Sequence, residues 1–168
     1  DRRPELRVEL LTLVGDSLLG LGDSGAAEGI ARQAVKEASV GLGPDAPQTI
    51  QARLLMADVY LSRGQTKEMR HELEALVPLV RRHVNARPED LVRTLKAQAD
   101  LALDDGRLED AIAAAREAFD MGIRSLVEGH VWVVSAAIIL AESLDQNGRH
   151  VEEALSAAER ALRLAVNA

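Results

Sequence analysis

The chain has 168 residues, 27 acidic against 20 basic side chains, a formal net charge of −7 and no cysteine. A disulfide framework and thiolate chemistry are excluded. The acidic balance argues against binding to a nucleic-acid backbone, which needs clustered Lys and Arg.

Ala (27 residues) and Leu (25 residues) supply nearly a third of the chain, and only Tyr60, Phe119 and Trp132 are aromatic, so helix is favoured over sheet. Apolar periodicity predicts helices in chain order at about 5–21, 24–40, 48–63, 66–85, 89–105, 108–124, 131–147 and 150–166. Between the members of each successive pair stands a glycine: Gly22, Gly64, Gly106 and Gly148, each 42 residues from the next. A glycine at such a break suits a left-handed helix end at no steric cost. Pro4, Pro47 and Pro88 fall where the first helix of a pair begins, the position at which a missing N–H costs least. Gly129-His130 takes that place in the fourth unit, and Pro78 is expected to kink the fourth helix.

The flanks agree with this register. Seven residues before the turn glycines stand Gly15, Ala57, Ala99 and Ala141, all small. Four before are Leu18, Tyr60, Ala102 and Leu144; eight before are Val14, Met56, Gln98 and Leu140. These offsets trace one helix face. Five after the glycines come Ala27, Met69 and Ala111, and twelve after come Ala34, Leu76 and Ala118. In the last unit Ala154 and Ala161 sit one step later, which implies a one-residue insertion at Arg149-His150-Val151. The units run approximately 1–43, 44–86, 87–128 and 129–168, read together as one repeat domain. Asp1 in place of a methionine leads us to expect a fragment of a larger protein.

This pattern resembles the tetratricopeptide repeat (TPR), in its longer, 42-residue kinesin light-chain-like form. Leu42-Gly43-Pro44-Asp45-Ala46-Pro47-Gln48-Thr49 looks like that subtype's linker, with Ala46 where His is usual. The chain departs from the pattern at Met69 and Leu76, where alanines are expected, and at Arg53, where a large apolar residue is usual. It also lacks the subtype's helix-A asparagines, with Leu13, Leu55, Ala97 and Ile139 nine before the turns. The resemblance implies an all-α solenoid, a right-handed superhelix of four helix-turn-helix repeats with a concave groove. The opening segment Pro4 to Leu11, followed by the Gly22 turn, is similar to the start of repeat arrays in bacterial Ser/Thr kinases. That suggests a parent protein and a bacterial source rather than an activity. A cytoplasmic location is expected, the extracytoplasmic part of a membrane kinase being the alternative.

Three segments imitate catalytic motifs. Gly15-Asp16-Ser17-Leu18 spells the GDSL-hydrolase motif, but no Asp-x-x-His run supplies its base: Glu68, Val80, Val127 and Asn147 stand three before the four histidines. Gly22-Asp23-Ser24-Gly25 imitates a trypsin-like nucleophile segment without the β-barrels that assemble its triad. Gly20, Gly22 and Gly25 match a dinucleotide fingerprint, but they follow a helix rather than a strand. His71, His83, His130 and His150 share no helical pair, so no metal site is expected. Arg81, Arg82, His83 and Arg87 read as a solvated helix end. No apolar run is long enough to cross a membrane, no leader peptide is recognised, and no cofactor is expected. Nothing in the sequence calls for an enzyme.

The resemblance places the residue six before each turn on the concave face. Here these are Asp16, Asp58, Asp100 and Glu142, four carboxylates in register. Only Arg93 and Lys96 add positive charge in neighbouring columns, and Leu54 and Ile138, ten before their turns, are expected to add apolar contacts. The expected partner is a protein or peptide segment, basic or neutral rather than a C-terminal carboxylate. The alternative is a structural or oligomerisation segment with no groove ligand, in which the carboxylates keep an exposed face soluble. Val151, Leu155, Ala158, Leu162 and Val166 form an apolar stripe on the last helix, where a terminal cap should be polar. It is expected to continue into further repeats or another domain, or to pair with a second copy as a homodimer through the terminal helices.

Overall fold

The computed structural model describes residues 3–83, 87–127, 129–148 and 151–166. The expected insertion at Arg149-His150 lies outside the described residues, as do the side chains of His83 and Ala161. The fold is all-α. Its helices are α1 (Pro4–Gly20), α2 (Ser24–Gly41), α3 (Pro47–Ser62), α4 (Thr66–His83), α5 (Pro88–Asp104), α6 (Leu108–Ser125), α7 (Val131–Asn147) and α8 (Val151–Val166). They pair as four helix-turn-helix repeats, so the odd-numbered members are A helices and the even-numbered ones B helices.

The breaks have a common local cause. Gly22, Gly64, Gly106 and Gly148 all adopt positive φ, between 66° and 81°. At the first turn the Asp23 amide donates to the Leu18 carbonyl at 2.9 Å and the Gly22 amide to Leu19 at 2.9 Å. The same pair of bonds recurs from Gln65 to Tyr60 with Gly64 to Leu61, and from Arg107 to Ala102 with Gly106 to Leu103. This Schellman closure satisfies helix-end carbonyls that would otherwise lack donors. Beyond the first turn the Asp23 carboxylate accepts from the Ala26 amide at 2.9 Å and caps α2. Pro4, Pro47 and Pro88 each open an A helix. His130 opens α7, its Nδ1 accepting from the Trp132 amide at 3.3 Å.

The chain divides into two compact units, residues 1–80 and 81–168, and the division falls inside α4, just after Pro78. The helix runs through Pro78, whose ring is exposed.

In the first unit α1 packs on α2 and α3, and α2 packs on α3. The buried stripe of α2 is entirely alanine: Ala27, Ala31, Ala34 and Ala38. Ala27 and Ala31 meet Leu55, Met56 and Val59 of α3, while Ala34 and Ala38 meet Val8 of α1 and Ala52. A Cβ placed on Gly15 would lie 2.4 Å from Leu55 Cδ2, so α1 and α3 touch at the small position itself. Met69, Leu73, Leu76 and Val80 bury one stripe of α4, so the larger residues at 69 and 76 are accommodated in the core. Arg53, unusual for its position, pairs with Glu72 of α4.

In the second unit α5 packs on α6 and α7, α6 on α7, and α7 on α8. Ala111, Ala115 and Ala118 form the buried face of α6 together with Ile112, Phe119 and Gly122. Gly122 lets α7 approach closely, for a Cβ there would stand 2.9 Å from Val133 Cγ2. Opposite them α7 buries Val133, Ala136, Ile139, Leu140 and Leu144. The Thr94 and Ser143 hydroxyls donate to carbonyls one turn back, each at 2.7 Å, which keeps these buried polar atoms satisfied. In the first unit α2 thus sets an all-alanine stripe against bulkier A helices, whereas α4 and α6 add larger side chains to theirs. Each fully buried Leu, Ile, Met or Val side chain contributes about 1.5–3 kcal/mol of transfer free energy.

Candidate functional site

The four carboxylates six residues before the turns sit next to the small position on each A helix, which ties them to the A–A contact. In the first unit Asp16 on α1 and Asp58 on α3 are both half-buried. In the second, Asp100 on α5 is half-buried and Glu142 on α7 is exposed. Lys96, one turn before Asp100, places its ammonium 2.7 Å from the Asp100 carboxylate. These two candidates neutralise one another locally instead of acting as separate charges in the site. Glu142 makes no ion pair among the described residues.

Two of the sequence-based site residues belong to the interior. Arg93 is buried on α5, with its guanidinium carbon 4.7 Å from the centroid of the Trp132 ring on α7. Stacking on an aromatic face suits a planar, weakly hydrated guanidinium. The expectation that Arg93 supplies positive charge to a groove is corrected accordingly. Leu54, expected as a ligand contact, is a fully buried core side chain. Ile138 holds the same register on α7 and is exposed, so it alone of that pair can meet a ligand. Close to Arg93, burial pushes the Asp90 carboxyl above its ordinary range, while Arg87, which donates to it at 2.8 Å, pulls it back.

The first unit also holds a cleft of about 480 Å³ between α2, α3 and α4 that the sequence reading missed. Arg32, Lys36, Arg53, Met56, Tyr60 and Glu72 are among its lining. Glu28 pairs with Arg32 at 2.6 Å and Glu72 pairs with Arg53, so two of its three cations are already compensated. The available signal was the one-turn spacing of Arg32 and Lys36 beside an out-of-place Arg53.

On the last helix Val151, Leu155, Ala158, Leu162 and Val166 are all exposed, whereas Ala154 and Ala157 face the core. Among the described residues no cluster of three His, Asp or Glu side chains could hold a metal ion, and no helix is long and apolar enough to cross a membrane.

No protein-family model matches the sequence, and no curated protein matches it. Among solved structures, the crystal structure of BtubC (BKLC) from P. vanneervenii aligns with a TM-score of 0.75 at 20% identity, over 99% of this chain and 65% of that one. The chain thus spans just under two thirds of the length of that neighbour. A crystal structure of a Podosopora anserina putative kinesin light chain with nearly identical TPR-like repeats gives a TM-score of 0.48 at 16% identity, over 98% of this chain and 97% of that one. The architecture shared with the BtubC structure, helices paired in successive helix-turn-helix repeats, is a TPR-like helical-repeat fold.

Proposed function

We propose that this TPR-like repeat chain is a non-catalytic scaffold for protein–protein interaction, whose A-helix faces take a basic or neutral protein segment. Structural neighbours of this fold class suggest an interaction scaffold. The observation that carries the finer reading is the register of Asp16, Asp58, Asp100 and Glu142, two carboxylates on the adjacent A helices of each unit. Adjacent packed helices lie roughly 8–10 Å apart, close to the Debye length of about 8 Å at physiological salt. The carboxylates of one unit therefore add to a common negative potential. A ligand ending in a free carboxylate would be opposed by it.

The test compares basic, neutral and acidic peptide pools on the wild-type chain and on Asp16→Lys/Asp58→Lys. The wild type should retain the basic or neutral pool, and the variant should lose that preference by about tenfold or more, the effect growing as salt is lowered. An unchanged preference in a folded variant overturns the reading. A second reading, an oligomerisation segment without a groove ligand, is favoured by the exposed apolar stripe of α8.

A further inference from the structure

On three of the four A helices the residue eleven before the turn glycine is apolar: Leu11, Leu95 and Ala137. Leu95 and Ala137 are buried. The remaining A helix, α3, holds Arg53 there, which pairs with Glu72 of α4 and borders the cleft between α2, α3 and α4. At about 100° per residue around a helix, Met56 and Tyr60 each lie about 160° from Asp58, and Arg53 about 140°. The cleft is therefore on the side of α3 opposite the carboxylate register, and its lining residues all belong to the first unit.

The charge of this cleft runs against that of the chain. Arg32, Lys36 and Arg53 line it against one carboxylate, Glu72, in a chain of net charge −7. Glu72 is engaged by Arg53, and Glu28 lies 2.6 Å from Arg32 and 3.3 Å from Arg63, so one carboxylate serves two guanidiniums. Lys36 is exposed and makes no ion pair among the described residues. Two hydroxyls of the lining are already engaged: Ser39 donates to the Val35 carbonyl and Thr49 to that of Gly43, each at 2.7 Å. The polar groups left for a ligand are cations, beside an apolar wall of Val35, Met56 and the Tyr60 ring.

We propose that this cleft binds a small amphiphilic monocarboxylate, its carboxylate meeting Lys36 and Arg32 while its alkyl or aryl body covers Val35, Met56 and Tyr60. The cleft's volume of about 480 Å³ falls within the roughly 300–1,000 Å³ of small-molecule pockets, which combine apolar walls with a few polar groups. A single negative charge fits better than two. Only Lys36 is wholly uncompensated, Arg32 shares its carboxylate with Arg63, and Glu28 and Glu72 oppose a phosphate dianion. A neutral molecule of the same shape forgoes the charge-assisted hydrogen bonds.

Tyr60 and Trp132 are the single tyrosine and tryptophan of the chain, one lining the cleft and one in the other unit, so their ring resonances report separately. Titration with octanoate should shift the Tyr60 resonances saturably, with a Kd of about 1–5 mM, and leave Trp132 unmoved. Octanamide, of equal length and no charge, should bind the wild type at least about fivefold more weakly. Octanoate should lose the same factor on Arg32→Gln/Lys36→Gln, in which both replaced side chains are exposed. Arg124→Gln, which removes an exposed cation of the second unit, should bind octanoate as the wild type does. Inorganic phosphate should leave Tyr60 unmoved. A Tyr60 ring indifferent to octanoate, octanamide bound as tightly as octanoate, or wild-type affinity in a folded Arg32→Gln/Lys36→Gln overturns the proposal. So does an equal loss in Arg124→Gln, or phosphate displacing octanoate. None of these outcomes depends on peptide preference at Asp16 and Asp58.

Discussion

Leu55 lies directly over the bare backbone of Gly15, so near that a Cβ on the glycine would stand 2.4 Å from Leu55 Cδ2. The contact between α1 and α3 therefore depends on the absence of a side chain at one position. Gly15→Ala should raise helix propensity yet on balance destabilise the chain, by up to about 2 kcal/mol, because overpacking a filled contact costs about 1–3 kcal/mol and the propensity gain is at most about 1 kcal/mol. Gly29, also helical, has nothing within 4 Å of its would-be Cβ. Gly29→Ala should stabilise by about 0.5–1 kcal/mol. Denaturant titration of both variants, and of Gly15→Ala combined with Leu55→Ala, checks the cause. A shared sign for the two glycine substitutions would refute it.

The turn at Gly64 isolates a backbone effect. Its φ is +66°, and an added Cβ would meet nothing within 4 Å. Any cost of Gly64→Ala is therefore conformational, about 1–2 kcal/mol for an L residue held in the left-handed region. Gly64→Asn should cost less, since asparagine tolerates that region. Equal losses for Ala and Asn, read from chemical unfolding midpoints, would argue against this origin.

Arg93 and Trp132 distinguish an interior cation from a ligand-binding one. Arg93→Met keeps most of the side-chain volume and removes the charge over the ring. It should lower stability by about 1–2 kcal/mol, the scale of a desolvated cation–π contact. It should also shift the emission of Trp132, the single tryptophan of the chain. Retention of the basic peptide pool should be unaffected. Unaltered stability and emission together with altered peptide preference would return Arg93 to the binding surface.

The helix boundaries were legible to within two residues because glycine and proline act locally, each through its own backbone. The small positions were legible for a related reason: a 42-residue register repeats the same close approach. Side-chain destinations were less so. Leu54 and Ile138 share one register position, yet one is core and the other exposed, since register sets the angle around a helix but not what covers it. The partner of Arg93 stands 39 residues later on another helix, and no local pattern announces that pairing. Lys96 and Asp100 occupy different columns of the repeat, yet they stand one turn apart, a spacing that lets them meet.

The all-alanine stripe of α2 sets the direction in which substitutions are tolerated. Alanine has no rotamers to lose, so Ala27, Ala31, Ala34 and Ala38 are immobilised at almost no side-chain entropy cost. They also fill so little volume that shortening them removes almost nothing. Helix α2 is thus sensitive chiefly to enlargement, while truncation to glycine costs about 1 kcal/mol per site through lost helix propensity alone. Its A-helix counterpart, holding Leu55, Met56 and Val59, has the opposite vulnerability. Sequence drift in such a pair is free only where one helix shrinks as the other grows.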